Sequence, residues 1–183
     1  MSLMNPGYLP SINLSRLLRE GGSLQAQGEL LGAVALEGGE IPLHTPAKWG
    51  VSVTRLEGEG GQEFWLSGEI AGYAVMECRR CLGPTPVLVR AHFQTMLRYT
   101  PGLAHPLLVE DEEEVLLFGH PILDLSPILS EAFALELPYT ALCREDCKGL
   151  CPICGANRNE VNCGHQEKPR TRLAEALSHL LKG

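Results

Sequence analysis

The stretch EFWLSGEIAGYAVMECRRCLGPTPVLVRAHFQTMLRY, residues 63–99, decides the fold. Along its first half Phe64, Leu66, Ile70, Ala74 and Met76 alternate with Ser67, Glu69 and Glu77. A strand with one buried face requires that period of two. In the second half Val87, Val89, Phe93 and Leu97 alternate in the same way with Arg90, His92, Gln94 and Arg98. Between the two runs lie Cys78, Cys81, Gly83 and Pro84, residues that suit a turn. The reading is an antiparallel hairpin of two long strands whose tip is a Cys-x-x-Cys turn.

Upstream, Asn13 followed by Leu14, Leu17 and Leu18, with Gly21 and Gly22 beyond, spells a cap, an apolar face and a stop, hence a short helix. From Leu24 to Trp49 the pattern is that of weak strands broken by Gly38, Gly39, Pro42 and Pro46. Downstream, Thr100 to Glu114 reads as a loop ending in a solvated acidic run, and Val115 to Phe118 as a strand. Asp124 or Ser126 can cap a helix with Leu125, Ile128, Leu129, Ala132 and Phe133 on its buried face, ended by Pro138. A last helix opens at Thr171 with an apolar stripe of Leu173, Ala176, Leu177, Leu180 and Leu181. The fold class expected is α+β: an antiparallel sheet with flanking helices and a zinc-stapled C-terminal loop. Two regions follow, an α+β body over 1–142 and, over 143–183, a Cys-rich zinc-binding loop and a C-terminal helix packed on the body.

Composition excludes several functions. No apolar run approaches the roughly 20 residues of a membrane span, and the first residues lack the basic start and apolar stretch of a secretion signal, so the cytoplasm is expected. The net charge of −7 is unevenly spread: residues 1–142 hold 8 Lys/Arg against 17 Asp/Glu, residues 143–183 hold 7 against 5. An acidic body with a mildly basic tail disfavours whole-surface nucleic-acid binding but permits local contact. His44, His92, His105 and His120 sit in no nucleophile, phosphate-loop or metalloprotease pattern, so neither enzymatic activity nor a small-molecule substrate is expected.

The seven cysteines are an odd number and, in a reducing compartment, suit metal better than disulfides. Cys143, Cys147, Cys151, Cys154 and Cys163, with His165, place five thiols and an imidazole in one short segment. Cys151-Pro152-Ile153-Cys154-Gly155 has the form of a zinc knuckle, in which proline fixes one φ angle and glycine takes a left-handed conformation. Zinc needs four ligands, and short loops close at less entropic cost than long ones. The preferred set is therefore Cys143, Cys147, Cys151 and Cys154 around about one zinc, with Cys163, His165, Cys78 and Cys81 alternative or additional. A closed tetrahedral thiolate site leaves no open position for water and is structural. Cys78 and Cys81 taken alone also fit a redox pair, although a redox Cys-x-x-Cys opens a helix and these flanks read as strands. RNA contact, if any, falls to Arg79 and Arg80 with Arg144, Lys148, Arg158, Lys168, Arg170 and Arg172; two arginines at a hairpin tip are equally what a solvated turn contains.

Met76-Glu77-Cys78-Arg79-Arg80-Cys81-Leu82 resembles the Glu-Cys-x-Arg-Cys signature of the YceD family, named for large-subunit ribosomal RNA accumulation. Ile122 to Leu125, Glu131 and Leu135 to Pro138 resemble that family's Ile-Asp-Leu helix ending in Leu-Pro. Cys147 to Gly155 is similar to the cysteine-rich extension of many members, and Pro169-Arg170 to Leu181 to their closing segment. The resemblance covers roughly residues 60–183. It implies a ribosome-biogenesis factor without established catalysis. The partners it implies are large-subunit ribosomal RNA, precursor ribosomal particles, or a ribosomal or assembly protein. The reading from a different class is a thiol oxidoreductase or redox sensor using Cys78 and Cys81.

Overall fold

The computed structural model describes residues 10–36, 38–57, 62–110 and 114–165. In chain order these form β1 (Ser11–Asn13), α1 (Ser15–Glu20), β2 (Ser23–Leu30), β3 (Ala33–Leu36), β4 (Gly39–Arg55), β5 (Glu63–Glu77) and β6 (Pro84–Tyr99). They continue with β7 (Leu107–Glu110), β8 (Glu114–Phe118), β9 (Ile122–Asp124) and α2 (Ser126–Leu135). The described residues are mostly sheet with few helices. The main sheet runs β2-β4-β5-β6-β8-β7, with β3 paired to β4 off that path. β2, β3 and β5 meet β4 antiparallel and β7 meets β8 antiparallel, whereas β6 and β8 run parallel. The helix at Thr171 lies outside the described residues.

The alternation in residues 63–99 places side chains as expected. Phe64, Leu66, Ile70 and Ala74 of β5 are fully buried, and so, within 2%, are Val89, Ala91 and Leu97 of β6. Val51 and Val53 of β4, Leu14 and Leu17 beside and on α1, and Leu125, Leu129 and Phe133 at α2 complete the core. Phe118 of β8 lies 6.0 Å from the Phe64 ring and 5.4 Å from that of Tyr99, the tilted geometry that aromatic quadrupoles favour.

The expected break of the early strands by proline does not occur. β4 continues through Pro42 and Pro46, and its pairing with β5 shifts register between Leu43 and Thr45 and again between Thr45 and Lys48. Pro46 falls within the second shift, where a residue that cannot donate to the ladder is tolerated, whereas Pro42 stays paired with Ala33 of β3. Gly28 opposes Trp49, and a Cβ at Gly28 would stand 2.7 Å from the indole ring, so the glycine is the notch that lets Trp49 lie inside. The two helix starts are twins. Asn13 Oδ1 accepts from Ser15 N at 3.0 Å and Asp124 Oδ1 from Ser126 N at 2.8 Å, while β1 pairs with β9. Leu14 N donates to Pro121 O and Leu125 N to Pro10 O, both at 2.7 Å, so the chain satisfies each helix entry with backbone from the other.

The chain divides into two compact units, and the division differs from the expected cut at 142/143. One unit takes the described residues up to Met76 and those of Pro86–Tyr139; the other draws the hairpin tip, Glu77–Thr85, together with the described segment that begins at Thr140. The tip contributes thiols and not apolar side chains, so its partners are the later cysteines. No helix among the described residues is long and apolar enough to cross a membrane.

Candidate metal centres

At the tip, Cys78 N donates to Gly83 O and Leu82 N to Cys78 O, closing a tight loop around the first thiol pair. Leu82 sits at φ 58°, the left-handed conformation that Gly155 adopts at φ 73° after the second Cys-x-x-Cys. Gly164, directly after Cys163, is left-handed too, at φ 67°. A left-handed residue behind a cysteine turns backbone N–H groups toward the sulfur, which is why three of these turns share the conformation.

Cys143 and Cys147 are brought to the tip by main-chain bonds. Arg79 N donates to Ala141 O at 2.9 Å, Leu150 N to Arg80 O at 3.0 Å, and the Arg80 guanidinium to the carbonyls of Glu145 and Cys147 at 3.2 and 2.9 Å. The result is one cluster, Cys78, Cys81, Cys143 and Cys147, whose sulfurs all lie within 4.8 Å of one another. Three of the four are buried and Cys143 is exposed. Cys151, Cys154, Cys163 and His165 form a second cluster within the same limit, with Cys151 buried and Cys154 and His165 exposed.

The spacings fit a tetrahedral thiolate site. Sγ atoms on arms of about 2.3 Å stand about 3.8 Å apart along each tetrahedral edge. Cys78 and Cys147 are separated by 3.8 Å, and Cys81 and Cys143 by 3.7 Å. Both distances are far beyond the roughly 2.05 Å of a disulfide. In the second cluster Cys151 Sγ and His165 Nδ1 are 3.8 Å apart. Electrostatics prepare the ligands. Backbone N–H groups of Cys143, Cys81 and Arg80 draw the Cys78 thiol from 9.0 down to about 6, and those of Cys154 and Ile153 do the same for Cys151. The Asn159 side-chain amide, ahead of the Gly149 backbone N–H, lowers Cys147. Cys143 moves the other way, up to about 12, because the sulfur of Cys147 holds its proton. Thiols this close cannot all ionise unless a cation stands among them.

The expected set of Cys143, Cys147, Cys151 and Cys154 is not assembled; the chain splits it between two clusters and fills each with the residues named as alternatives. Loop length misled here because the strands leading into and out of the tip deliver Cys78 and Cys81 as a preformed pair, at no cost to the later loop. Lys148-Gly149-Leu150 then turns the chain away, with Arg158 N bonded to Gly149 O and Leu150 bridged to Asn157. The basic residues also separate. Arg79 and Lys148 expose their side chains, Arg80 is committed to two carbonyls, Arg144 lies 3.5 Å from Asp146, and Arg158 is half-buried. Lys168, Arg170 and Arg172 lie outside the described residues. Asn157 and Asn159 were not singled out by sequence, since asparagines in a turn-rich segment look like ordinary turn formers.

Fold and clusters together define a class: a sheet protein with two Cys/His clusters, each of four residues that could hold a metal ion. The chain belongs to the YceD family, described as "Large ribosomal RNA subunit accumulation protein YceD", whose pattern matches residues 66–181. An uncharacterised protein of Mycobacterium tuberculosis is 39% identical over 94 residues, 49% of this chain and 42% of its own. The chloroplastic large ribosomal RNA subunit accumulation protein YCED homolog 1 is 25% identical in Arabidopsis thaliana, over 72% of this chain and 48% of that one. Its counterpart in Zea mays is 28% identical, over 64% and 47% respectively. The chain spans about half the length of the relatives it matches. No solved structure matches it.

Proposed function

We propose that this chain is a non-enzymatic factor of the cytoplasm that supports accumulation of large-subunit ribosomal RNA, and that it is held in shape by two structural zinc ions. The observation that carries this reading is the span of the family match: residues 66–181 enclose all eight clustered ligands. Cys78, Cys81, Cys143 and Cys147 would hold one ion, and Cys151, Cys154, Cys163 and His165 the other. Zinc supplies there a fixed positive charge that lets the thiolates coexist and fastens a segment with little apolar core. Four protein ligands leave no place for a reacting water, which favours support over catalysis.

Arg79 and Lys148 each adjoin a clustered cysteine and are exposed, and they are the residues to test for RNA. Arg80 is unsuited to that test because its removal would release the Glu145 and Cys147 carbonyls. Replacing Arg79 and Lys148 by alanine should weaken binding to large-subunit precursor RNA and lower its salt slope by about one unit per lost phosphate contact. If the double variant keeps full affinity and slope while depletion of the protein still lowers large-subunit RNA, a ribosomal or assembly protein is the partner instead. If depletion leaves large-subunit RNA unchanged, the functional reading is wrong.

A redox reading draws on the lowered Cys78 thiol. It is separated by metal content: reversible Cys78–Cys81 disulfide formation in protein isolated without zinc would replace the structural role with a thiol one.

A further inference from the structure

The two clusters are joined by one side chain. Asn159 lies in the loop between Cys154 and Cys163 of the second cluster, yet its Nδ2 donates to the Sγ of Cys147, a ligand of the first, at 3.3 Å. Its Oδ1 accepts from Lys148 N at 2.8 Å, so one amide spans the sulfur and the next backbone N–H of the first cluster's last turn. The same Nδ2 also donates to Asn157 Oδ1 at 2.8 Å, Asn159 N donates to that oxygen at 3.1 Å, and Asn157 Nδ2 donates to Glu160 Oε1 at 2.8 Å. The amide is therefore fixed in its turn by the loop that the second cluster closes. Arg158 N to Gly149 O and Leu150 N to Arg80 O carry the connection through the main chain on either side.

We propose that Asn159 is a positioning residue that couples the two metal sites, so that filling the Cys151, Cys154, Cys163 and His165 site raises the affinity of the Cys78, Cys81, Cys143 and Cys147 site. The inference rests on the reading that both clusters hold zinc. A metal at the second site closes the loop between Cys154 and Cys163 and sets Asn159 in place. A donor already aimed at Cys147 stabilises its thiolate, which is the ligating form. Coupling of binding free energies is reciprocal, so filling the first site tightens the second by the same factor. Asn is required at this position because the residue must accept from Lys148 N and donate to sulfur at once. Aspartate, of the same shape, can only accept, and it adds a negative charge beside a thiolate.

The experiment titrates the full chain, freed of metal under reducing conditions, with Zn²⁺ against a competing chelator and with Co²⁺ followed by its thiolate charge-transfer absorption. Cys163→Ser removes a ligand from the second site and leaves the first site's four intact. The first site should then bind about tenfold or more weakly, the range found when an outer partner of a metal ligand is lost. Asn159→Asp and Asn159→Ala keep all eight ligands and should weaken the first site in the same range, with Asp the worse. They should also shift the Co²⁺ charge-transfer band, which a merely structural loss elsewhere in the loop would not move. First-site affinity unchanged in Cys163→Ser and in both Asn159 variants, while the unaltered chain binds two ions, would overturn the coupling and leave the zinc reading intact. Failure of the unaltered chain to bind any metal would overturn both.

Discussion

The body and the cysteine unit are built from opposite materials. The body buries a continuous set of apolar side chains from β4, β5, β6, α1 and α2. The cysteine unit's buried cluster is Cys78, Cys81 and Cys147, with Leu142 packed against it. A chain can fold by removing apolar area from water or by gathering ligands around an ion, and the second route needs almost no core. The difference also decides what each region tolerates: one is sensitive to volume, the other to ligand identity and proton concentration.

Metal removal should produce the widest contrast. A structural zinc site contributes about 10 kcal/mol or more of apparent binding energy. Chelation should therefore abolish amide protection across residues 77–85 and 140–165 while residues 63–76 and 86–99 keep theirs, as hydrogen exchange would register. Acid should act in the same direction. The Cys78 and Cys151 thiols are held at about 6, below their ordinary 9.0. A lowered folded-state value stabilises above the unfolded one, and in the metal-free chain that contribution is lost as pH falls through about 6; in the loaded chain protons compete with the metal for the same sulfurs. Zinc release followed with an indicator dye should accordingly rise at acid pH, below the metal-free thiol values because a bound cation holds its thiolates deprotonated; release that does not change with pH would show that the sulfurs are not the ligands.

Phe64→Ala tests the other side of the contrast. The side chain is fully buried against Phe118, and truncation should cost about 3–5 kcal/mol in urea denaturation while zinc content stays unchanged. A smaller effect follows from Gly149→Ala. The glycine has φ 71°, and a Cβ there would stand 2.9 Å from Arg80 O, so the substitution should cost about 1–2 kcal/mol and loosen zinc without touching a ligand. The smallest belongs to the Arg98–Glu63 pair, bonded at 2.8 Å but with the arginine 45% exposed. Arg98→Ala should cost less than about 1 kcal/mol and fade further in high salt. Should it exceed Phe64→Ala, burial is not what holds the body.

Much of the body was legible. Period-two alternation marks β5 and β6 because the pleat itself forces side chains to opposite faces. The entry signals at Asn13 and Asp124 mark both helices, although each aspartyl-type side chain acts one residue ahead of the cap position. The passage of β4 through two prolines was not legible, since whether a missing N–H ends a strand or makes a bulge depends on what the neighbouring strand offers. At the clusters, every candidate ligand was visible as a residue type, and Gly155 as a knuckle residue. Leu82 in the equivalent conformation was not visible, because leucine carries no turn signal.

Sequence by itself determined the inventory of candidate ligands, the two-strand scaffold and the family, because thiol and imidazole chemistry and strand period are properties of residue type and local spacing. Only the tertiary structure decided which cysteines stand together, that Arg80 braces a ligand loop, and that Asn159 reaches a sulfur of the other cluster. Those are matters of distance between residues far apart in the chain. A rigid hairpin can cancel the entropy that chain separation would otherwise charge for bringing them together.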